Sequence, residues 1–136
     1  MLMSTNANVK RVEEKYPLNF LQCSEIYTSL SAMLLPDKHN NPDSYMIRSV
    51  YFDDYSETAY YDKQSGVENR MKLRLRIYPP DYKNVKLEIK KKKCNAQQKQ
   101  TLTISQYEAR ALIYKDYDAA LMNKSIEDML LENSIP

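Results

Sequence analysis

The residues best able to do chemistry are basic side chains that crowd into one stretch of the chain. Residues 70–93 hold ten lysines and arginines against two acidic residues, a net charge of +8, whereas the rest of the chain sums to −6. Such segregation favours a segment that faces a polyanion over a generally basic protein. Arginine binds phosphate oxygens in a bidentate manner, and lysine adds a point charge. The chemistry that these residues indicate is therefore phosphate binding.

The spacing of the basic residues predicts that they share one face of a β-sheet. Successive side chains of a strand point to opposite faces, so basic and apolar residues that alternate along residues 70–77 and 85–92 separate onto two faces. In residues 11–15, Arg11, Glu13 and Lys15 likewise occupy every second position. The predicted charged face consists of Arg11, Glu13, Lys15, Lys72, Arg74, Arg76, Lys86, Glu88 and Lys90. Its net charge is +5.

Two interpretations of this charged face stay open. An antiparallel sheet commonly has one core face and one solvated face, so alternation alone is ordinary. Like charges on adjacent strands repel one another, however, and gain nothing unless an anion lies between them. Glu13 and Glu88 could hold neighbouring lysines in place or bind a divalent cation beside phosphate oxygens.

The elements that must position these residues follow from periodicity and from turn residues. Strands are expected at residues 9–18, 45–53, 69–78 and 85–93, and the last two should form an antiparallel hairpin across Pro79 and Pro80. Helices are expected at residues 24–35, from about residue 105 and from about residue 125. Ser105 and Glu108 have the spacing of a capping box, and Ser125 and Asp128 repeat it.

Composition and length set the limits of the fold class. The chain has 136 residues, of which 43% are apolar, enough for one domain with a core of its own. Residues 9–136 are expected to form that domain, and residues 1–8 to be disordered. Cys23 and Cys94 are expected to be reduced thiols, and the lone His39 to be solvent-exposed. The tyrosines are attributed to packing.

No apolar stretch approaches the roughly 20 residues that a membrane helix needs. The N-terminus also lacks the basic and apolar regions of a signal peptide. We therefore expect a cytoplasmic protein, whose association with a membrane would need a partner or a segment outside this sequence.

Four motifs occur in order along the chain. They are Arg11-Val-Glu-Glu-Lys15-Tyr16, Ile47-Arg-Ser-Val-Tyr-Phe-Asp53, Gly66-Val-Glu-Asn-Arg70-Met-Lys-Leu-Arg74-Leu-Arg76 and Leu87-Glu-Ile-Lys90. Together they resemble the N-terminal half of a VTC domain, the polyphosphate polymerase module of the triphosphate tunnel metalloenzyme superfamily. The resemblance runs from about residue 9 to the end of the sequence.

This resemblance implies an α+β fold, an antiparallel half-barrel of about four strands with helices packed on its outer face and a charged interior. It implies ATP and polyphosphate as ligands and Mn or Mg as the divalent cofactor. By motif position, Lys15 is similar to the lysine that contacts the phosphate under attack. The residues similar to the phosphate-binding set are Arg11, Lys72, Arg74, Arg76, Lys86, Lys90 and Lys99. Glu13 and Glu88 are the candidates for the metal.

A complete domain of this kind continues with a second set of strands that closes the tunnel. The sequence therefore predicts a longer natural chain, a homodimer of half-barrels or a relic that only binds. We expect this half-length chain to lack polymerase activity by itself. The functional alternatives are a non-catalytic module that binds polyphosphate or RNA, and a triphosphate hydrolase of the same superfamily. The resemblance favours polyphosphate over nucleic acid as the partner.

Overall fold

The computed structural model of the chain describes residues 9–11, 14–37, 45–94 and 96–135. The strands within these residues are β1 (Val9–Arg11), β2 (Arg48–Phe52), β3 (Arg70–Tyr78), β4 (Asp81–Lys93) and β5 (Ala96–Ser105). The helices are α1 (Phe20–Ser31), α2 (Thr58–Gln64), α3 (Gln106–Ile113), α4 (Tyr117–Leu121) and α5 (Lys124–Glu132).

The described strands form one antiparallel sheet in the order β1-β5-β4-β3-β2. The two long hairpins, β3–β4 and β4–β5, build its centre, whereas β1 and β2 each have a single neighbour and form the edges. The described sheet is therefore open rather than closed into a barrel. The expected α+β half-barrel is confirmed, with five strands where about four were expected.

The core lies on one face of the sheet only. Apolar side chains of β3, β4 and β5 pack there against α3, α4 and α5, which cover that face. The buried members are Leu75, Val85, Leu87, Ile89, Leu102, Ile104, Ala109, Ala111, Leu112, Ala120, Ile126 and Met129. The prediction that helices pack on the outer face is confirmed for α3, α4 and α5, and the charged residues lie on the opposite face of the sheet.

Side-chain caps start the helices. Ser105 and Glu108 form the expected capping box of α3, because each side chain accepts a hydrogen bond from the other's backbone N–H. Asn19 and Gln22 form a second capping box, so α1 begins four residues before the predicted start at Ser24. The side chain of Asn123, not Ser125, caps α5.

The strand nearest the N-terminus is shorter than the predicted 9–18. Arg11 pairs with Gln97, and β5 begins at the preceding residue, Ala96. Little of the partner strand therefore remains beyond this pair. Residues 14–19 are not in a strand, and residues 12 and 13 lie outside the described residues. The predicted strands at 45–53, 69–78 and 85–93 are present as β2, β3 and β4, although β4 starts earlier, at Asp81.

Strand β5 was not predicted. Residues 96–101 are glutamine, lysine and threonine apart from Ala96, so they lack the apolar alternation that marks a half-buried strand. The backbone of β5 nevertheless forms a ladder with β4 over most of its length, and β1 pairs on its other side. Pairing on both sides therefore stabilises a segment that its own composition does not favour as a strand.

Candidate functional site

Basic side chains lie in cross-strand rows on the sheet face opposite α3, α4 and α5. The register places Arg76 opposite Lys86, and Arg74 opposite Glu88. Because side chains alternate along each strand, these positions lie on the face away from Leu75 and the core. We define the cationic face by its described charged members, Arg70, Lys72, Arg74, Arg76, Lys86, Glu88, Lys90, Lys92 and Lys99. Eight cations thus accompany one carboxylate.

Glu88 is the charge at the centre of this face and is only 2% exposed. Its Oε1 lies 2.6 Å from Lys99 Nζ. Its Oε2 accepts a hydrogen bond from Arg74 Nε at 2.7 Å, with Arg76 Nε 3.9 Å away. Burial raises the pKa of Glu88, but the hydrogen bonds and charges of Lys99 and Arg74 outweigh burial and hold the pKa below its ordinary value. The carboxylate is therefore ionised and joins β3, β4 and β5 electrostatically.

Hydroxyl groups orient three of the cations. Arg74 Nη1 donates to Tyr51 Oη at 3.0 Å, and its guanidinium carbon lies 5.8 Å from the centroid of the Tyr51 ring. Arg76 Nε donates to Ser49 Oγ at 3.3 Å, and Lys86 Nζ donates to Thr103 Oγ1 at 2.6 Å. Neutral oxygen acceptors orient the cations without cancelling their charge, although Glu88 neutralises part of the charge of Arg74.

The lysine row beside Glu88 places like charges opposite one another on neighbouring strands. Lys72 lies opposite Lys90 on β4, and Lys90 lies opposite Lys99 on β5. Like charges directly opposite one another on adjacent strands are destabilising. Burial, followed by the charges of Lys63, Arg70 and Lys90, lowers the pKa of Lys72. An anion on this row would relieve the repulsion.

The structure brings together six of the residues that the sequence assigned to phosphate. They are Lys72, Arg74, Arg76, Lys86, Lys90 and Lys99. Lys15 is exposed in the segment that follows β1. The backbone of Arg11 pairs with that of Gln97 at the edge of the sheet, whereas Glu13 and His39 lie outside the described residues.

The hydroxyl groups that contact the cationic face were not predicted from the sequence. Tyr51 was attributed to packing, but its phenol oxygen contacts Arg74 on the charged side of the sheet. The sequence contained a signal for the two hydroxyl groups on β2. Ser49 and Tyr51 are two residues apart and alternate with Val50, which places them on the same face. Thr103 could not be found in this way, because β5 itself was not predicted.

The described residues do not by themselves fit a divalent cation. Mn or Mg requires several oxygen ligands in a well-defined geometry. In the described part of the chain, no group of three or more His, Cys, Asp or Glu side chains could hold a metal ion. Glu88 supplies one carboxylate, and both of its oxygens already face cations. Glu88 thus resembles a partner of Lys99 and Arg74 more than a metal ligand.

The architecture and the face define a class of protein: an α+β domain whose antiparallel sheet presents cations on one side and packs helices on the other. The family model of the VTC domain matches residues 10–134, and the chain belongs to that family. The family relates the protein to polyphosphate. No curated protein and no solved structure gives a significant match. Among the described residues, no helix is both long and apolar enough to span a membrane.

Proposed function

We propose that the cationic face binds the phosphates of polyphosphate and of a nucleoside triphosphate, and that it forms one wall of a site for phosphoryl transfer. The observation that supports this proposal is that a single, partly buried sheet face holds eight cations and one carboxylate. A face that was merely solvated would mix both signs of charge. Membership of the VTC family agrees with a phosphate chain as the anion.

The arrangement suits a chain of phosphates rather than a single anion. Adjacent strands lie about 4.8 Å apart. One row places Lys72, Lys90 and Lys99 on β3, β4 and β5, and two further rows place a pair of cations on β3 and β4. Arg74 and Arg76 supply planar donors for bidentate contacts, whereas Lys86, Lys90 and Lys99 supply point charges. Successive phosphates of one chain could therefore contact successive rows of cations.

Phosphoryl transfer depends mainly on positioning and on neutralising the charge of the transferred group. We assign binding of the phosphates to Arg74, Arg76 and Lys90. We assign contact with the phosphate under attack to Lys15. A bound divalent cation would neutralise phosphate charge further. Because the described residues supply no ligand set for it, the assignment of Glu13 and Glu88 to the metal depends on the resemblance alone.

The ion pairs of Glu88 favour a second candidate function, a non-catalytic module that binds polyphosphate. A Glu88 carboxylate occupied by Lys99 and Arg74 stabilises a binding surface without any metal. This function needs only the cationic face, whereas transfer also needs groups on the far side of the phosphates. Hydrolysis of a triphosphate would use the same face and release free phosphate.

The test measures binding and chemistry separately on the full chain. We expect linear polyphosphate to bind with a strong dependence on salt, and Arg74→Ala to weaken that binding, whereas Lys124→Met on the helical side leaves it unchanged. Incubation with ATP and manganese then separates chain growth from release of free phosphate. Binding without either reaction would favour the non-catalytic module, and equal binding by wild type and Arg74→Ala would refute the role of the face.

A further inference from the structure

We propose that a pocket between α2 and the β2–β3 edge of the sheet is an outer subsite for phosphates of a chain already bound on the cationic face. The proposal rests on the proposed function. The pocket has a volume of about 370 Å³, and its lining includes Tyr51, Asp53, Tyr60, Lys63 and Lys72. At about 30 Å³ per water, this volume has room for about twelve waters, enough for a phosphate group and part of its hydration shell.

The pocket is continuous with the cationic face. Tyr51 and Lys72 belong to the face, whereas Tyr60 and Lys63 come from α2. The phenol of Tyr51 that lines the pocket is the group that accepts a hydrogen bond from Arg74. A phosphate chain that leaves Arg74 towards this edge of the sheet therefore meets the pocket next.

The charged side chains that line the pocket carry a net positive charge, because two lysines accompany the single carboxylate of Asp53. In the parts of the chain that the structure describes, neither Lys63 nor Lys72 has a carboxylate partner. Asp53 also lines the pocket, but its carboxylate accepts hydrogen bonds from the backbone N–H groups of Ala59 at 2.9 Å and Tyr60 at 3.0 Å. This carboxylate is thus committed to the start of α2.

Lys63 of α2 and Lys72 of β3 both line the pocket. Besides its burial, the charge of Lys63 contributes to the lowered pKa of Lys72, so the two ammonium groups lie close enough to repel. A phosphate between them would replace this repulsion with two attractions, and the Tyr51 and Tyr60 hydroxyls could donate further hydrogen bonds.

The experiment compares ligands of different length on the full chain. Tripolyphosphate should occupy the face alone, whereas a linear polyphosphate of about ten phosphates should also reach the pocket. For the long chain, we expect Lys63→Met to weaken binding about fivefold, equivalent to about 1 kcal/mol, and to reduce the salt slope by about one. For tripolyphosphate, we expect a change below about twofold. Lys124→Met is the matched control. Lys63 is exposed, so its replacement should not disturb folding.

Lysine acetylation of the wild-type protein gives a second readout that needs no variant. Long polyphosphate should protect Lys63 from acetic anhydride, whereas tripolyphosphate should not. Equal effects of Lys63→Met on both ligands, or no effect on either while the wild type binds both, would overturn the subsite and leave the proposed function standing. A wild-type protein that binds neither ligand would refute the proposed function and the subsite together.

Discussion

Replacement of Glu88 by glutamine is the sharpest test of how the cationic face is held together. The substitution keeps the size of the side chain but removes the only described carboxylate among eight cations. Removal of one partner from a buried ion pair costs about 3–5 kcal/mol. Arg74 is 16% exposed and Lys99 is 36% exposed, so water screens part of the loss. We therefore expect the free energy of unfolding to fall by about 3 kcal/mol, at the lower end of that range.

Such a loss is easily measured. For a domain of this size, about 3 kcal/mol corresponds to a decrease in Tm of about 10 °C, or a shift of about 1–2 M in the urea midpoint. Glu132→Gln is the matched control, because Glu132 is exposed on α5 and lies on the helical side of the sheet. The control should change the free energy of unfolding by less than about 0.5 kcal/mol.

The pH dependence of the difference identifies its cause. The pKa of Glu88 in the folded protein lies below its ordinary value of 4.5. A carboxylate with a depressed pKa stabilises the folded state above its ordinary pKa, and this stabilisation is lost as the pH falls through the depressed value. The gap between wild type and Glu88→Gln should therefore be constant near neutral pH and shrink below about pH 4.5.

Polyphosphate should stabilise Glu88→Gln more than it stabilises the wild type. Glu88 neutralises part of the charge of Arg74 and Lys99, and a bound anion takes over that role when the carboxylate is absent. Thermal unfolding with and without saturating polyphosphate measures the two increments. If Glu88→Gln is as stable as the wild type at neutral pH, or if ligand raises its Tm less than that of the wild type, the electrostatic account of the face is wrong.

Two further predictions concern single hydrogen bonds. The hydrogen bond from Arg74, together with nearby positive charge, lowers the pKa of Tyr51 despite its partial burial. The ultraviolet difference titration between wild type and Tyr51→Phe should therefore show a phenol that ionises below its ordinary value of 10. The pKa of this phenol should rise again when polyphosphate binds. A phenol that titrates at its ordinary value would contradict the contact with Arg74. Asn133→Ala should reduce the free energy of unfolding by about 1–3 kcal/mol in urea titrations. The buried Asn133 amide donates to Gln100 Oε1 at 2.7 Å, and its removal would leave that oxygen unpaired. A loss below about 0.5 kcal/mol would show that Gln100 turns to solvent instead.

Local patterns in the sequence predicted much of the fold. Alternation of basic and apolar residues along β3 and β4 requires only the geometry of a strand. The capping box of Ser105 and Glu108 needs only four consecutive residues. These features depend on neighbours in sequence, so they could be found without knowledge of the fold.

Features that depend on pairing could not be predicted in the same way. The polar composition of β5 gave no strand signal, and only the ladders with β4 and β1 define it. The end of β1 likewise depends on where its partner strand begins. Periodicity suggested too late a start for α1, because the cap at Asn19 lies outside the apolar pattern.

The sequence by itself determined which charged side chains share a face, since the charge of residues 70–93 and the alternation of β3 and β4 place lysines and arginines on one side of a sheet. Only the tertiary structure decided what each charged group contacts. Lys99 reaches Glu88 because β5 pairs with β4, and Tyr51 reaches Arg74 because β2 pairs with β3. The pocket of Lys63 and Lys72 exists because α2 packs beside β3. These contacts join residues distant along the chain, and their energies depend on distance and burial, which a linear pattern does not contain.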